Sequence, residues 1–339
     1  MAGVGDRHSS RPRSRAIPAR VDHEARVAIH QADHGAGERQ PGARSGQGKP
    51  QPARRSHHQQ RGVDAPYRAG DSGLISEVVY SGQRPAEELV GEAERRAIAG
   101  AAGFGDDTAA YRDAMNADPA QIAPTADALV ARCQEDVERA LAAAPRLFSR
   151  LPKAGCQVRR VEPLLEKDAP GAYYYPPTTD GSRPGIYFVN AYDLPSRTYW
   201  TAASTTYHEA IPGHHFQLAL EMELQGLPAF RTLGYWPQGT AYVEGWALYT
   251  ERVADEAGLF RSEAERFGML DSQALRAVRL VVDTGLHAFG WSRRKAFETM
   301  VAAGIHPTDA GIETDRYIAS PGQALAYMTG RREIERLRA

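Results

Sequence analysis

The distribution of apolar residues changes sharply near residue 70, and this change limits where the chain can fold. Residues 1–70 contain no Leu, Phe, Trp or Cys, but they hold 12 Arg and six of the 11 His in the 339-residue chain. Such a composition cannot bury enough apolar surface to offset chain entropy. We therefore predict that residues 1–74 are a disordered basic segment, or result from a misassigned start codon. Residues 75–339 are expected to form the folded domain.

The folded part is predicted to be mainly α-helical. Three segments with apolar side chains at helical spacing are expected to form helices: 84–101, 107–117 and 124–147. After Pro195 the sequence has helical character almost to its end. Three short β-prone runs lie between these helical parts: 156–161, 172–175 and 186–189. Pro and Gly residues separate the last two runs, which is typical of a hairpin with a long loop. The expected class is mainly α with a small sheet.

Composition and charge argue against several kinds of partner. The formal net charge is −1, so no global charge favours nucleic acid or an anionic membrane. Cys133 and Cys156 allow one bridge but no disulfide framework or Cys-rich zinc site. No apolar run approaches the roughly 20 residues that span a bilayer, and no secretory signal is recognisable. We expect a cytoplasmic location and neither nucleic-acid nor membrane binding; the oligomeric state is not specified by the sequence.

A cluster of histidines and a glutamate indicates metal chemistry. Three of the five histidines beyond residue 60 lie in the segment 208–215, which reads His-Glu-Ala-Ile-Pro-Gly-His-His. Catalytic zinc prefers neutral imidazoles with a carboxylate, and leaves one position to water. In the common helical motif HExxH, two histidines one turn apart bind the metal and the Glu acts as base. We predict His208 as a zinc ligand and Glu209 as the general base.

The second histidine ligand has two candidates, because Pro212 stands where HExxH has its second histidine. On an unbroken helix, a seven-residue step would pair His208 with His215. Pro212 inside a helix would lose an N–H and clash with the His208 carbonyl, which favours a break at Pro212-Gly213. A break would bring His214 to the metal, so His214 is preferred and His215 is the alternative. Histidines that merely line a Pro-Gly turn are the non-functional interpretation.

The third ligand is predicted to be Glu244, in the helical segment 241–251. Its neighbours are mostly apolar, and an ionised Glu is rarely buried without a partner. A metal would be such a partner; a buried ion pair with an arginine is the alternative. Glu251, two turns later, could accept a hydrogen bond from a ligand histidine or pair with Arg252 or Arg261 at the surface.

A mostly apolar helix predicted for residues 274–289 has polar residues on one face. Their spacing of three, four and four residues places them together: Arg276, Arg279, Asp283 and His287. This face is either solvated and internally paired, or it lines the cleft, where Asp283 would orient His287 to stabilise an oxyanion. Tyr327 is either a core tyrosine or a second oxyanion donor.

The chain resembles the bacterial domain-of-unknown-function family eight-eight-five, which is similar to the zincin peptidases. Five blocks carry the resemblance, from about residue 85 onward: 180–185 with Tyr187 and Asn190, 208–215 with Gln217, 243–249, 276–285 with His287, and 316–318 with 321–327. Family members are larger, so the resemblance also implies a chain shortened at its N-terminus.

The resemblance implies a zincin-like helical catalytic domain with the hairpin 180–187 beside its cleft. It implies zinc on His208, His214 and Glu244, with Glu209 as base. The expected function is zinc-dependent hydrolysis of peptide bonds in peptides or small amides, with His287 and Tyr327 as oxyanion donors. Two alternatives stay open: an inactive zincin-like protein that binds peptide or metal, and a metal-dependent hydrolase of non-peptide amides or esters.

Overall fold

The computed structural model describes residues 91–167, 169–224, 226–228 and 240–339. The predicted disordered segment 1–74 and the first part of the predicted helix 84–101 lie outside these residues. The helices are α1 Glu92–Ala101, α2 Thr108–Ala117, α3 Ala126–Leu147, α4 Tyr199–Glu209, α5 His214–Glu223, α6 Thr240–Glu256, α7 Glu263–His287, α8 Arg293–Ala302, α9 Pro307–Ala319 and α10 Ala326–Arg338. The strands are β1 Cys156–Arg160, β2 Ala172–Tyr175 and β3 Gly185–Val189. The predicted class, mainly α with a small sheet, is confirmed.

Side-chain caps define where several helices begin. Asp107 and Thr125 accept hydrogen bonds from backbone N–H groups three residues later, at the starts of α2 and α3. Ser262 and Ser292 do the same for α7 and α8. These short polar side chains satisfy N–H groups that have no partner inside the helix, which explains why each helix starts where it does.

The three strands form one sheet in the order β1-β3-β2. The pair β2–β3 is antiparallel and places Tyr174 opposite Tyr187, whereas β1 runs parallel to β3. The hairpin with a long loop that the sequence predicts is therefore confirmed. Tyr187 is fully buried, and its hydroxyl lies 3.3 Å from the Thr206 hydroxyl of α4, so the sheet packs on the helix that carries His208.

Helix α4 lies at the centre of the domain, in contact with α3, α6 and α7. Helices α6 and α10 cross very closely, because two glycines meet at the crossing. A Cβ on Gly330 would lie 1.7 Å from the Ala241 carbonyl oxygen, and one on Gly245 would lie 2.4 Å from the Gly330 backbone. This crossing brings the start of α10 beside the part of α6 that holds Glu244.

Two further expectations concern the cysteines and the membrane. Cys133 and Cys156 are both free thiols, so the one bridge that composition allowed is not formed. Among the described helices, none combines the length and the apolar character that a membrane crossing requires.

Candidate metal centre

The junction between α4 and α5 is shaped by Pro212 and Gly213. Helix α4 ends at Glu209 and α5 begins at His214, so the predicted break is confirmed. A Cβ on Gly213 would lie 1.8 Å from the His208 carbonyl oxygen, which leaves room for glycine alone. The Trp246 indole N–H of α6 lies 3.1 Å from the Pro212 carbonyl oxygen and 3.2 Å from that of Gly213. Helix α6 therefore holds the junction in place.

The junction brings His208 and His214 to the same carboxylate. Glu244 Oε2 lies 3.5 Å from His208 Nε2 and 3.6 Å from His214 Nε2. The two imidazole rings are 4.9 Å apart and nearly perpendicular. Both N–O distances exceed the usual range of a hydrogen bond. They are close to the roughly 3.3–3.5 Å that separates two ligand atoms on a tetrahedral zinc ion. Both carboxylate–imidazole distances are thus compatible with a shared metal ion.

A second carboxylate borders the two imidazoles. One potential ligand atom from each of His208, Glu209 and His214 lies within 4.8 Å of the others. The closer approach of Glu244 to both Nε2 atoms makes Glu244 the better third ligand. Glu209 borders the same place and is half-buried, so its carboxylate is partly accessible to solvent.

Glu251 orients His208. Its Oε1 lies 2.8 Å from His208 Nδ1, and Ser204 donates a hydrogen bond to its Oε2 at 2.7 Å. Arg252 and Arg261, the alternative partners considered for Glu251, pair with other carboxylates, those of Glu94 and Asp136. An acceptor at Nδ1 fixes the tautomer that leaves Nε2 for a metal.

The charge balance at His208 favours binding of a cation. Burial would lower the pKa of His208, but the carboxylates of Glu244 and Glu251 outweigh it and raise that pKa to about 9. The same imidazoles hold the pKa of Glu244 well below its usual range, although burial alone would raise it. Glu244 and Glu251 are thus both ionised beside His208, and the positive charge that they attract can be a proton or a metal ion.

His215 points away from this cluster into the sheet. Its Nδ1 lies 2.7 Å from the Tyr174 hydroxyl and its Nε2 lies 3.0 Å from the Ala154 carbonyl oxygen, so both ring nitrogens are engaged. Burial lowers the pKa of His215 to about 4, which keeps the ring neutral. Of the two candidates, His214 is the one that faces Glu244. His214 Nδ1 is buried without a hydrogen-bond partner among the described residues, as is Gln217 Oε1 one turn later.

Tyr327 lies beside the cluster. Its ring centroid is 6.1 Å from that of His208, and the two ring planes differ by 24°. Burial raises the pKa of the Tyr327 phenol, and the negative charge of Glu244 raises it further, so the hydroxyl stays protonated and can donate. Tyr327 is thus a buried tyrosine next to His208, and its role as an oxyanion donor stays a prediction.

The polar residues on this face of α7 contact two different parts of the protein. Arg276 and Arg279 lie against Tyr327, with guanidinium carbons 5.9 and 4.6 Å from the ring centroid. Asp283 accepts the Gly322 backbone N–H at 3.1 and 3.2 Å, which ties down the loop before α10.

His287 lies at the exposed C-terminal end of α7, where its Nε2 is 3.0 Å from the Tyr317 carbonyl oxygen. Among the described contacts, none joins His287 to the cluster of His208, His214 and Glu244. Its role in the chemistry stays a prediction.

Two residues of the site escaped the sequence reasoning. Trp246 was expected only to be one of the apolar neighbours of Glu244. Ser204 was not predicted to be a site residue. The signal for Trp246 is general, because a buried indole N–H needs an acceptor and the carbonyls of a broken helix supply one. Ser204 precedes His208 by one turn, where its hydroxyl can reach the carboxylate that holds that histidine.

Comparison with protein families matches residues 76–339 to DUF885, described as bacterial proteins of unknown function, and the chain belongs to this family. A solved structure of a putative lipoprotein from Colwellia psychrerythraea is 31% identical, with a TM-score of 0.68 over 78% of this chain and 48% of that one. A putative lipoprotein of unknown function from Shewanella oneidensis shares the fold at 22% identity, with a TM-score of 0.58 over 78% and 52%. The chain spans about half the length of these two relatives. No curated protein matches it.

Proposed function

We propose that the protein is a zinc-dependent hydrolase of peptide bonds. The observation that carries the proposal is the convergence of His208 Nε2 and His214 Nε2 on Glu244 Oε2, at 3.5 and 3.6 Å, with Glu209 at the same place. Two imidazoles and one carboxylate are a donor set of catalytic zinc sites. The Glu251–His208 hydrogen bond supports the proposal further, because ligand histidines usually have such an acceptor.

The residues of the site suit the hydrolysis of an amide. Zinc bound there would supply a Lewis acid and lower the pKa of water toward ~7. Glu209 takes the proton of the attacking water and passes it to the leaving amine. Tyr327 donates a hydrogen bond to the oxygen of the scissile carbonyl as its negative charge develops. His287 is the second oxyanion donor that the sequence predicts. The hairpin beside α5 would receive the substrate backbone.

Zinc analysis combined with cleavage assays tests this proposal. We expect about one zinc per chain in the wild type and in Glu209→Gln, with turnover of a peptide library about 10²- to 10⁴-fold lower in the variant. Glu298→Gln on the exposed face of α8 is the matched control and should change neither value. Undiminished turnover in Glu209→Gln removes Glu209 as the base, and a wild type without metal refutes the proposal.

The same assay separates the two alternatives. Zinc binding without cleavage of any peptide, ester or amide supports an inactive zincin-like protein that binds peptide or metal. Cleavage of small esters or non-peptide amides alone supports a hydrolase of those substrates.

The substrate, the location and the absence of other partners are likewise proposals. We propose a peptide or small amide substrate, a cytoplasmic location, and no binding to nucleic acid or membranes. The description as lipoproteins concerns the two solved relatives. Fractionation of bacteria that express the native gene tests the location, and recovery of the protein in the membrane fraction would contradict it.

A further inference from the structure

Two arginines of α7 bring positive charge to the neighbourhood of the candidate metal centre. Arg276 and Arg279 are nearly one helical turn apart, and their guanidinium carbons lie 5.9 and 4.6 Å from the Tyr327 ring centroid. The Tyr327 ring is itself 6.1 Å from the His208 ring. Both cations therefore lie against the aromatic ring that borders the candidate metal centre.

Each of these guanidinium groups has a buried nitrogen without a partner. Arg279 is 6% exposed. Its Nε and Nη2 donate hydrogen bonds to Glu313 at 3.1 and 2.8 Å. Its Nε also lies 2.9 Å from the Tyr317 hydroxyl oxygen. Its Nη1 is shielded from solvent and has no partner among the described residues. Arg276 donates through Nη1 to Ser272, but its Nε is shielded and likewise without a partner. A buried donor without an acceptor destabilises the fold, so an acceptor is expected there.

The described carboxylates nearby are already engaged. Glu313 accepts from Arg279, and it also accepts from Arg316, a third cation, at 2.8 Å. Glu251, whose charge acts on Arg276, accepts from Ser204 and contacts His208. Among the described residues no free carboxylate is left for these two nitrogens, so a bound ligand is a candidate acceptor. A carboxylate is a suitable acceptor, because its charge strengthens each hydrogen bond and its two oxygens can accept from more than one donor.

We propose that Arg276 and Arg279 bind the C-terminal carboxylate of a peptide substrate, so that the enzyme removes about one to three residues from a free C-terminus. This inference rests on the proposed function. The path from the metal centre to Arg279 is bounded by the 6.1 Å between the His208 and Tyr327 rings and the 4.6 Å from the Tyr327 ring to the guanidinium carbon. An extended residue spans about 3.3–3.6 Å, so about one to three residues beyond the scissile bond cover this path. The amide C–N bond breaks, the carbonyl carbon gains the hydroxyl of water, and the amine nitrogen gains its proton.

The test compares acid and amide forms of the same peptides. A mixture of N-acetylated tripeptides with free C-terminal carboxylates, and the same mixture as C-terminal amides, is offered to the zinc-loaded Glu209→Gln full chain. Bound peptides are quantified by mass spectrometry. We expect the acids to be retained about 10- to 100-fold better than the amides, as hydrogen bonds to a charged group imply. Equal retention of both forms, or retention of neither, overturns the inference.

Variants identify the residues responsible. Arg276→Gln and Arg279→Lys, each made in the Glu209→Gln background, should lower acid retention about 10-fold or more and leave amide retention unchanged. Arg294→Gln, at an 82% exposed side chain of α8, is the control and should change neither. Acid preference that persists in both variants assigns the carboxylate to other residues and overturns the inference. Circular dichroism melting of each variant identifies any loss of fold, in which case Arg276→Lys replaces the failed variant.

Cleavage by the wild type keeps this inference separate from the proposed function. Equal cleavage of acid and amide peptides overturns carboxylate recognition while the peptide hydrolase stands. Zinc-loaded protein that cleaves neither form contradicts the proposed function itself.

Discussion

The candidate metal centre and the network around Glu313 are both polar and largely shielded from solvent, but their groups are satisfied differently. Glu313 accepts hydrogen bonds from Arg279, Arg316 and the Tyr317 hydroxyl at 2.5–3.2 Å. At the metal centre, Glu244 faces two imidazole nitrogens at 3.5 and 3.6 Å. Polar groups that satisfy one another stabilise the fold. Groups that converge at more than hydrogen-bond distance leave room for a ligand, such as the proposed zinc ion.

The largest effect is expected on zinc affinity, when an imidazole of the candidate metal centre is removed. His208→Ala should lower zinc affinity by more than about 100-fold, since even the partners of ligand histidines contribute 10- to 100-fold. His215→Ala, one residue beyond His214 but bonded to the sheet, should keep zinc. Competition with a chelator of known affinity measures both. Equal zinc loss in the two variants would contradict the distinction between the two histidine environments.

A methyl group at the junction between α4 and α5 should displace the backbone there and thereby disturb the candidate metal centre. Gly213→Ala places a Cβ 1.8 Å from the His208 carbonyl oxygen, so we expect a loss of about 3 kcal/mol in the free energy of unfolding. Gly311→Ala is the control, because a Cβ there meets no atom within 4 Å. It should leave stability equal or higher, since Ala is the better helix former. Urea unfolding measures both, and equal stabilities would contradict the tight junction.

The Glu313 network should respond to acid. Burial would raise the pKa of Glu313, but Arg279 and Arg316 outweigh it and lower that pKa to about 2. A lowered carboxyl pKa stabilises the fold above the unfolded value near 4.5, and this contribution is lost as the pH falls toward 2. Glu313→Gln should cost about 2 kcal/mol at pH 7 and show a weaker fall in stability between pH 5 and 3. Parallel urea-unfolding profiles for wild type and variant would contradict this.

A smaller effect is expected at Tyr327. Tyr327→Phe removes one donor to the developing oxyanion, so kcat for a cleaved peptide should fall about 10- to 100-fold with little change in zinc content. Tyr192→Phe, at a half-exposed side chain, is the control. An unchanged kcat in Tyr327→Phe would leave Tyr327 as a core residue.

His287→Ala measures the role that the sequence predicts for that histidine. A fall in kcat comparable to that of Tyr327→Phe would support an oxyanion donor. An unchanged kcat, with stability reduced by about 1 kcal/mol through the lost bond to the Tyr317 carbonyl, would limit His287 to holding α9.

The sequence predicted those features that depend on local chemistry. Pro212 cannot continue a helix, so the break after Glu209 followed from the residue itself. The hairpin followed from β-prone runs separated by Pro and Gly. Glu244 stood out because its neighbours are apolar, and its place beside two imidazoles agrees with that reasoning.

Features that depend on distant partners could not be predicted. The choice between His214 and His215 is decided by Tyr174 and Ala154, which lie 41 and 61 residues before His215. Helical periodicity placed Arg279 and His287 on one face, but it could not indicate that different elements pack against the two ends of α7. Where a polar side chain finds its partner depends on tertiary packing rather than on spacing.

Anomalous diffraction from zinc-loaded crystals of the full chain, recorded at the zinc edge, tests the proposed metal site most directly. We predict one strong peak about 2.0–2.2 Å from His208 Nε2, His214 Nε2 and a carboxylate oxygen of Glu244. A zinc peak elsewhere, or no peak among these three side chains, would contradict it.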